Sequence, residues 1–398
     1  VTIPDEGVDG TGNVAVVGPI PPTQRSVAPD LARGMMLLFI ALANVVGFLY
    51  GRPTGLGYRP VDGSPADRIL DVVVALFVDS RSYPMFAILF GYGMATMNRR
   101  MAERGADQLR IQVVLTRRSG WLIALGMAQA ALLFYGDILA VYGVTGLLVA
   151  RLVHRRVRVL ARWSAYGLLS MGGFLVLQGW DQTEPPGLPH ATADYLVSAV
   201  ERVLQNLVNT TLAGVFPAFA TLMIVGVLVS RAGWLDRPDE HVPALRRWVL
   251  VGLVVNLVGG LPYALAVGGI WHLSRPVGVT LTVLHGLSGL VMGLAYVCLF
   301  ALLAIRAGAS GRTGAVAAVT AVGERSLSCY LLQSLLFAPV LSAWGLGVGH
   351  RLGTTPAYGI AVGVWAITVV FAVLLRRAGR RGPFEVLLRR LSYGRSVR

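Results

Sequence analysis

The sequence predicts an all-α polytopic membrane protein, with about ten transmembrane helices, both termini in the cytoplasm and one short re-entrant or interfacial helix. Three observations carry that reading. The mean hydropathy is +0.64 with only 14% charged residues, more apolar surface than a chain can hide in water. Apolar runs near the 20 residues that a spanning helix needs recur from end to end. Every second connection is rich in arginine, as cytoplasmic loops are, and an even number of crossings fits that alternation.

The elements follow in order. Residues 1–24 hold Gly, Pro and acids without periodicity and are expected to be a disordered cytoplasmic tail, with 25–375 a single transmembrane domain and 376–398 a basic tail. The first run, 31–50, opens on Asp30-Leu-Ala-Arg33-Gly34. Asp30 and Arg33 are three apart and share a helix face, while Asp30 after Pro29 is also placed to cap the helix start. Asn44 stands about three turns further along. The apolar stretch 69–78 is too short to cross. The residues after it, Asp79-Ser-Arg81-Ser-Tyr83-Pro84, either tip Asp79, Arg81 and Tyr83 into an outer vestibule or anchor an interfacial helix through a salt bridge.

Further runs are read at 82–97, 116–134, 136–153 and 157–178. Arg99, Arg100, Arg104, Arg110, Arg117 and Arg118 mark one cytoplasmic loop, and Arg151, Arg155, Arg156, Arg158 and Arg162 the next. Between the third and fourth runs, Gly136-Asp137-Ile-Leu makes a tight connection where Asp137 caps the following helix or faces an outer cavity. The long outer connection 179–211 begins with Glu184-Pro185-Pro186, and 193–209 alternates at helical spacing as an amphipathic helix on the membrane surface does.

The remaining runs are 212–230, 248–268, 277–305, 326–344 and 357–375. Arg231, Arg237, Arg246 and Arg247, then Arg306 and Arg312, and finally the tail from Arg376 continue the alternation. His272 and Arg275 precede the eighth run on the outer side. His285 lies about 12 Å into it, beside Gly286, Gly289 and Gly293, as a candidate base or a hydrogen-bonded packing residue. Gly289-x-x-x-Gly293 offers a helix-packing surface, within the chain or as the seam of a homodimer. Glu324 and Arg325 read as an ion pair at the entrance of the ninth run, with Gln333 two turns on. Cys298 and Cys329 fall inside spans and read as small packing residues.

Several classes are excluded. No HExxH, CxxC pair, phosphate loop or GxSxG elbow occurs. Neither a metal site nor a soluble catalytic domain is indicated. The net charge of +15 sits in loops and tail beside anionic headgroups, so membrane lipids and not nucleic acid are the expected partners. All 35 basic residues are arginine, a bias expected from codon usage in a GC-rich genome ahead of a need for bidentate chemistry. Chemistry must therefore come from polar groups inside the bundle, where an ionised side chain costs roughly 2.5 to 3.5 kcal/mol on insertion scales.

Asp30-x-x-Arg33-Gly34 leading to Asn44, the phrase Phe86-Ala-Ile-Leu-Phe-Gly91-Tyr-Gly93, Gly136-Asp137-Ile-Leu, Tyr330-Leu-Leu-Gln333-Ser334 and Gly382-Pro383-Phe384-Glu385 together resemble the YeiB-like family of bacterial membrane proteins. They come in the family's order and span nearly the whole chain. That family is similar in its N-terminal half to transmembrane acyltransferases of the heparan-glucosaminide acetyltransferase type, which pass an acetyl group from cytoplasmic acetyl-CoA to an acceptor across the membrane. The resemblance implies a multi-pass protein of the bacterial plasma membrane, with acyl-CoA as donor and Arg33 placed to hold its phosphates. It also departs from those enzymes: residues 51–81 contain no histidine, and Gln129 stands where many YeiB-like proteins carry one.

The expected function is thus acyltransferase-like, with His285, Asp137 and Asp79 as the available bases and Asp30, Arg33, Asn44, Arg81, Gln129 and Gln333 contacting a small-molecule or lipid substrate. Two alternatives stay open. One is a transporter or flippase built on inverted five-helix halves, in which Pro84, Gly91 and Gly93 correspond to Gly259, Gly260 and Pro262. The other is a lipid-binding protein without turnover.

Overall fold

A computed structural model describes residues 27–183, 189–271, 273–308 and 313–394. The expected tail 1–24, the Glu184-Pro185-Pro186 stretch and His272 lie outside the described residues. Fourteen α-helices are described: α1 Val27–Val45, α2 Pro65–Phe77, α3 Ser82–Glu103, α4 Gln108–Leu132, α5 Leu139–Leu152, α6 Val157–Thr183, α7 Tyr195–Val215, α8 Ala218–Arg231, α9 Val242–Val267, α10 Arg275–Ala307, α11 Gly314–Glu324, α12 Ser326–Leu341, α13 Thr354–Arg377 and α14 Pro383–Tyr393. No strand occurs among the described residues beyond a single bridge between Thr54 and Pro60. Among the described residues six helical segments, one of them the joined α2–α3 unit Pro65–Glu103, are long and apolar enough to cross a membrane, or eight if the bent pairs α7/α8 and α11/α12 each count as one. The protein is an all-α polytopic membrane protein; nine of the ten expected apolar runs each fall mainly on one helix and the run 212–230 is shared by α7 and α8, while the candidate spans are fewer than the ten expected.

Helix ends are set by local chemistry. α2 begins in a capping box: the Ser64 hydroxyl accepts from Asp67 N, and the Asp67 carboxylate accepts from Ser64 N at 2.9 Å. The same carboxylate accepts from Thr355 N at 2.6 Å, so it also satisfies the start of α13. The last carbonyls of α2 are caught by neighbouring helices: Asn256 Nδ2 donates to Leu76 O at 3.0 Å and Tyr296 Oη to Phe77 O at 2.7 Å. A helix that stops short inside an apolar bundle needs such donors, because lipid supplies none.

Several boundaries differ from expectation. α1 starts at Val27, so Asp30 sits in its first turn and not at its cap; Pro29 is tolerated there because the first helical amides are unpaired anyway. The run 212–230 is broken at Phe216 and Pro217, with α7 and α8 bent by 63°, since Pro217 cannot donate to the ladder. The run 326–344 ends at Leu341. α11 was not foreseen; it meets α12 at 87°. Part of the basic tail folds as α14, packed on α4 and α12. Glu385 there accepts from Leu327 N at 2.8 Å and Ser328 N at 3.1 Å, capping α12.

α7 is amphipathic in an unexpected sense. It buries Ser198, Arg202, Asn206 and Thr210 while exposing Leu196, Val200, Leu204 and Leu207. Its polar face is turned into the protein and not to water. Arg202, fully buried, donates to Ala130 O at 3.1 Å and Ala131 O at 2.9 Å, and Asn206 donates to Tyr135 O and Asp137 O. α7 thereby supplies the partners that the end of α4 and its turn into α5 lack.

Two close approaches fix the centre. A Cβ on Gly34 would overlap the Val319 carbonyl and one on Gly323 the Asp30 carbonyl, so α11 lies directly on the first turns of α1. Likewise Gly289 and Gly293 admit Ser80 and Pro84 of the same chain, which uses this small-residue seam internally.

Candidate functional site

The break between α2 and α3 builds the site. At the arginine-poor end of the bundle, called outer here, a cavity of about 340 Å³ is lined by the end of α1, the α1–α2 connection, the 79–83 segment, the α4–α5 turn, α6, α9, α10 and α12. That volume suits a small molecule. Asn44, Asp79 and Tyr83 line it, as does His285. The vestibule expected for Asp79, Arg81 and Tyr83 is lined by Asp79 and Tyr83 but not by Arg81, and Asn44 and His285 line the same cavity.

Two arginines brace this wall. Arg59 donates to Asp79 Oδ2 at 2.5 Å and Gly57 O at 2.8 Å, with its Nε 3.6 Å from Asp71 Oδ1. Arg81 turns away from the cavity and is fully buried. Its Nε donates to Asn256 Oδ1 at 2.8 Å and Nη1 to the Asp79 carbonyl at 2.7 Å; Nη1 also lies 2.8 Å and 2.7 Å from the two ring nitrogens of His285. No carboxylate pairs with Arg81 among the described residues. An imidazolium has no acceptor for a guanidinium, so the His285 ring is neutral in this arrangement and accepts through one nitrogen. Tyr263 stacks on its face, with centroids 4.1 Å apart.

The cavity also holds polar groups without protein partners. Tyr83 Oη is buried and makes no hydrogen bond, and the side chains of Asn44 and Gln178 make none among the described residues. Tyr58 and Ser80, the two non-glycine residues described with positive φ, +61° and +58°, both line it. Left-handed backbone at such residues costs of order 1 to 3 kcal/mol and concentrates at functional sites.

The other expected residues lie elsewhere. Asp137 is buried beside the cavity: its Oδ2 accepts from Ala140 N at 2.9 Å, capping α5, and its Oδ1 accepts from the cavity-lining Tyr330 hydroxyl at 3.3 Å. Gln129 donates to Ser334 Oγ at 2.8 Å and Gln333 to Leu37 O at 3.1 Å, both away from the cavity. Asp30 and Arg33 pair at 3.0 Å near the opposite end. The lining reaches Ile40 on α1, seven residues or about 10 Å from Arg33. No open path joins the two among the lining residues, and the Gln333–Leu37 bond occupies the interval. Near Arg33, which is engaged with Asp30 and the Leu89 carbonyl, the half-buried Arg118 has no hydrogen bond or ion pair among the described residues and lies within its electrostatic range, so one uncommitted guanidinium group stands beside that pair for an anionic donor.

Sequence reasoning missed Arg59, Asp71, Gln178, Asn256 and Ser288. Arg59 and Asp71 were legible only as charges flanking an outer loop, and Asn256 only as a lone amide within an apolar run.

The fold and cavity define a polytopic helical membrane protein with a polar chamber at its outer end. Comparison with known proteins adds a family. Residues 229–395 match the family described as Protein of unknown function (DUF418). The chain is 26% identical to the uncharacterized protein YeiB of Escherichia coli (strain K12), covering 93% of this chain and 96% of that protein. It is 23% identical to the uncharacterized protein YxaH of Bacillus subtilis (strain 168), covering 92% and 93%. These matches support a YeiB-like family for the chain, as the five motifs led us to expect.

Proposed function

We propose that the protein is an acyltransferase-like protein of the bacterial plasma membrane, moving an acyl group from a cytoplasmic donor to an acceptor held in the outer chamber. The observation that carries this reading is α1 itself, which bears the Asp30–Arg33 pair at one end and Asn44 in the chamber at the other. Arg33 and Arg118 hold the phosphates of an acyl-CoA. Asn44 orients an acceptor hydroxyl or amine beside Asp79 and His285. The acceptor's proton passes to His285 once Arg81 releases its lone pair, the acceptor atom attacks the thioester carbonyl, the C–S bond breaks, and the departing thiolate takes up a proton. Asp79, held by Arg59, is the other base within the chamber, and Asp137 bears on the chamber through the lining Tyr330 hydroxyl that it accepts from.

The test is turnover of purified protein with labelled acyl-CoA of several chain lengths. Transfer or hydrolysis is expected, with His285→Ala and Asn44→Ala each lowering it at least about a hundredfold; no turnover at any chain length overturns the reading. One observation favours transport instead: the interrupted α2–α3 unit lines the chamber, as discontinuous helices line transporter sites. Substrate-dependent flux in proteoliposomes without acyl transfer selects that reading. A lipid recovered bound, with neither activity, selects a binding protein.

A further inference from the structure

The outer chamber selects by charge. Among the described residues its lining carries one carboxylate, Asp79, and one guanidinium, Arg59, and the two are paired at 2.5 Å. The His285 ring is neutral while the Arg81 guanidinium donates to it. Behind that wall Arg81 is fully buried, and its Nη1 also donates to the Asp79 carbonyl. An ammonium entering the chamber has to displace Arg59 from Asp79, and it faces the Arg81 charge through a poorly screening interior. A carboxylate meets Asp79 and finds Arg59 already taken. Neither sign of charge has an uncommitted partner in the lining.

What the lining does offer is neutral. Six aromatic rings contribute to it, those of Tyr58, Tyr83, Phe134, Tyr135, Tyr263 and Tyr330, and aromatic faces take up the C–H edges of a saturated ring. The carboxamides of Asn44 on α1 and Gln178 on α6 line it without protein partners among the described residues. A carboxamide both donates and accepts, which is the complement of a hydroxyl. A volume of about 340 Å³ lies at the small end of ligand pockets and suits one or two such rings, not a long chain.

We infer that the chamber takes an uncharged polyhydroxylated ring, a sugar or cyclitol, and that on the acyl-transfer reading above, on which this step rests, it is acylated at a hydroxyl to give an ester and not at an amine. One hydroxyl lies at Asn44 and His285, and the others are held by Gln178 and the tyrosines. The O–H proton goes to His285, a C–O bond forms as the C–S bond breaks, and the departing thiolate takes up a proton, so the transfer balances without a further reactant.

Saturation-transfer NMR on the full chain in phosphatidylcholine nanodiscs tests the inference with no acyl donor present; glycoside detergents are avoided because their headgroups compete. The probes are methyl β-glucoside and myo-inositol, both neutral, against glucosamine and glucuronate at pH 6, where the amine is cationic and the acid anionic. A neutral ring binds, and each charged sugar binds at least about tenfold more weakly. Gln178→Ala weakens the neutral ring about tenfold and leaves the thermal unfolding midpoint unchanged, because that side chain has no partner to lose. Glucosamine bound as tightly as methyl β-glucoside, no binding of either neutral ring, or neutral binding that ignores Gln178→Ala overturns the inference. The expected pattern of binding with no acyl transfer to any acceptor leaves the inference standing and overturns the transferase reading. Acyl transfer to an amine by protein that binds neither neutral ring does the reverse.

Discussion

At the level of single residues, scarcity was the useful signal. Asn44, Asp79 and His285 were legible because polar groups inside apolar runs are costly and few, and all three meet at the outer chamber. Gln129 and Gln333 gave the same signal, yet they hydrogen-bond Ser334 and Leu37 in the packed interior; pattern alone does not separate a lining amide from a packing one. The strain at Tyr58 and Ser80 was invisible, since φ is set by tertiary closure. Replacing Ser80 by glycine is expected to leave stability unchanged or raise it by up to about 1 kcal/mol, while weakening whatever the chamber binds. Thermal unfolding in detergent alongside a binding assay checks both halves.

His190 gives a pH prediction at the same scale. It is fully buried between Phe48 and Phe134, with ring centroids 4.3 Å and 5.6 Å away. Burial, then the nearby Arg202 charge, pushes its pKa down to about 3. The unfolded chain binds a proton near pH 6.5 that the folded chain refuses, so this contribution is complete above pH 6.5 and is lost as pH falls toward 3, by at most about 1.4 kcal/mol per unit. His190→Gln is expected to flatten that slope; an unchanged acid limb in unfolding curves would refute the assignment.

Among the elements, α7 shows what periodicity yields and withholds. Its amphipathic repeat was plain, but the repeat does not say which face meets water, and its polar face caps α4. Arg202→Ala should therefore cost about 1 to 3 kcal/mol or more by stranding the Ala130 and Ala131 carbonyls, with Arg202→Lys recovering only part, because one ammonium cannot reproduce the fork. α11 escaped notice because small apolar residues just before a recognised run read as its leader, and the 87° elbow arises from packing on α1. Glu385→Ala should cost about 1 kcal/mol through the lost cap of α12, visible as a lower midpoint of thermal unfolding.

For the molecule as a whole, composition and arginine alternation were sufficient for the class, because lipid leaves a chain few ways to satisfy its backbone. The chamber was not legible, since it depends on how seven helices and a broken one converge. The two native thiols, Cys298 and Cys329, are buried, so single added cysteines report sidedness cleanly. Arg52→Cys is expected to react with an impermeant maleimide from outside intact cells and Arg104→Cys only after permeabilisation; the reverse pattern overturns the orientation.

The clamping of α1 by α11 has one consequence for chemistry. Gly34 and Gly323 leave no slack at that crossing, so α1 cannot shift to carry Asn44 toward the donor end of the bundle. Eleven residues separate Arg33 from Asn44, a span of about 16 Å at helical rise. Under the proposed reaction the reach must come from the donor, and the Gln333–Leu37 bond that occupies the interval has to open before a long, thin, flexible arm anchored at Arg33 brings its acyl carbon to Asn44; a compact acyl phosphate is too short.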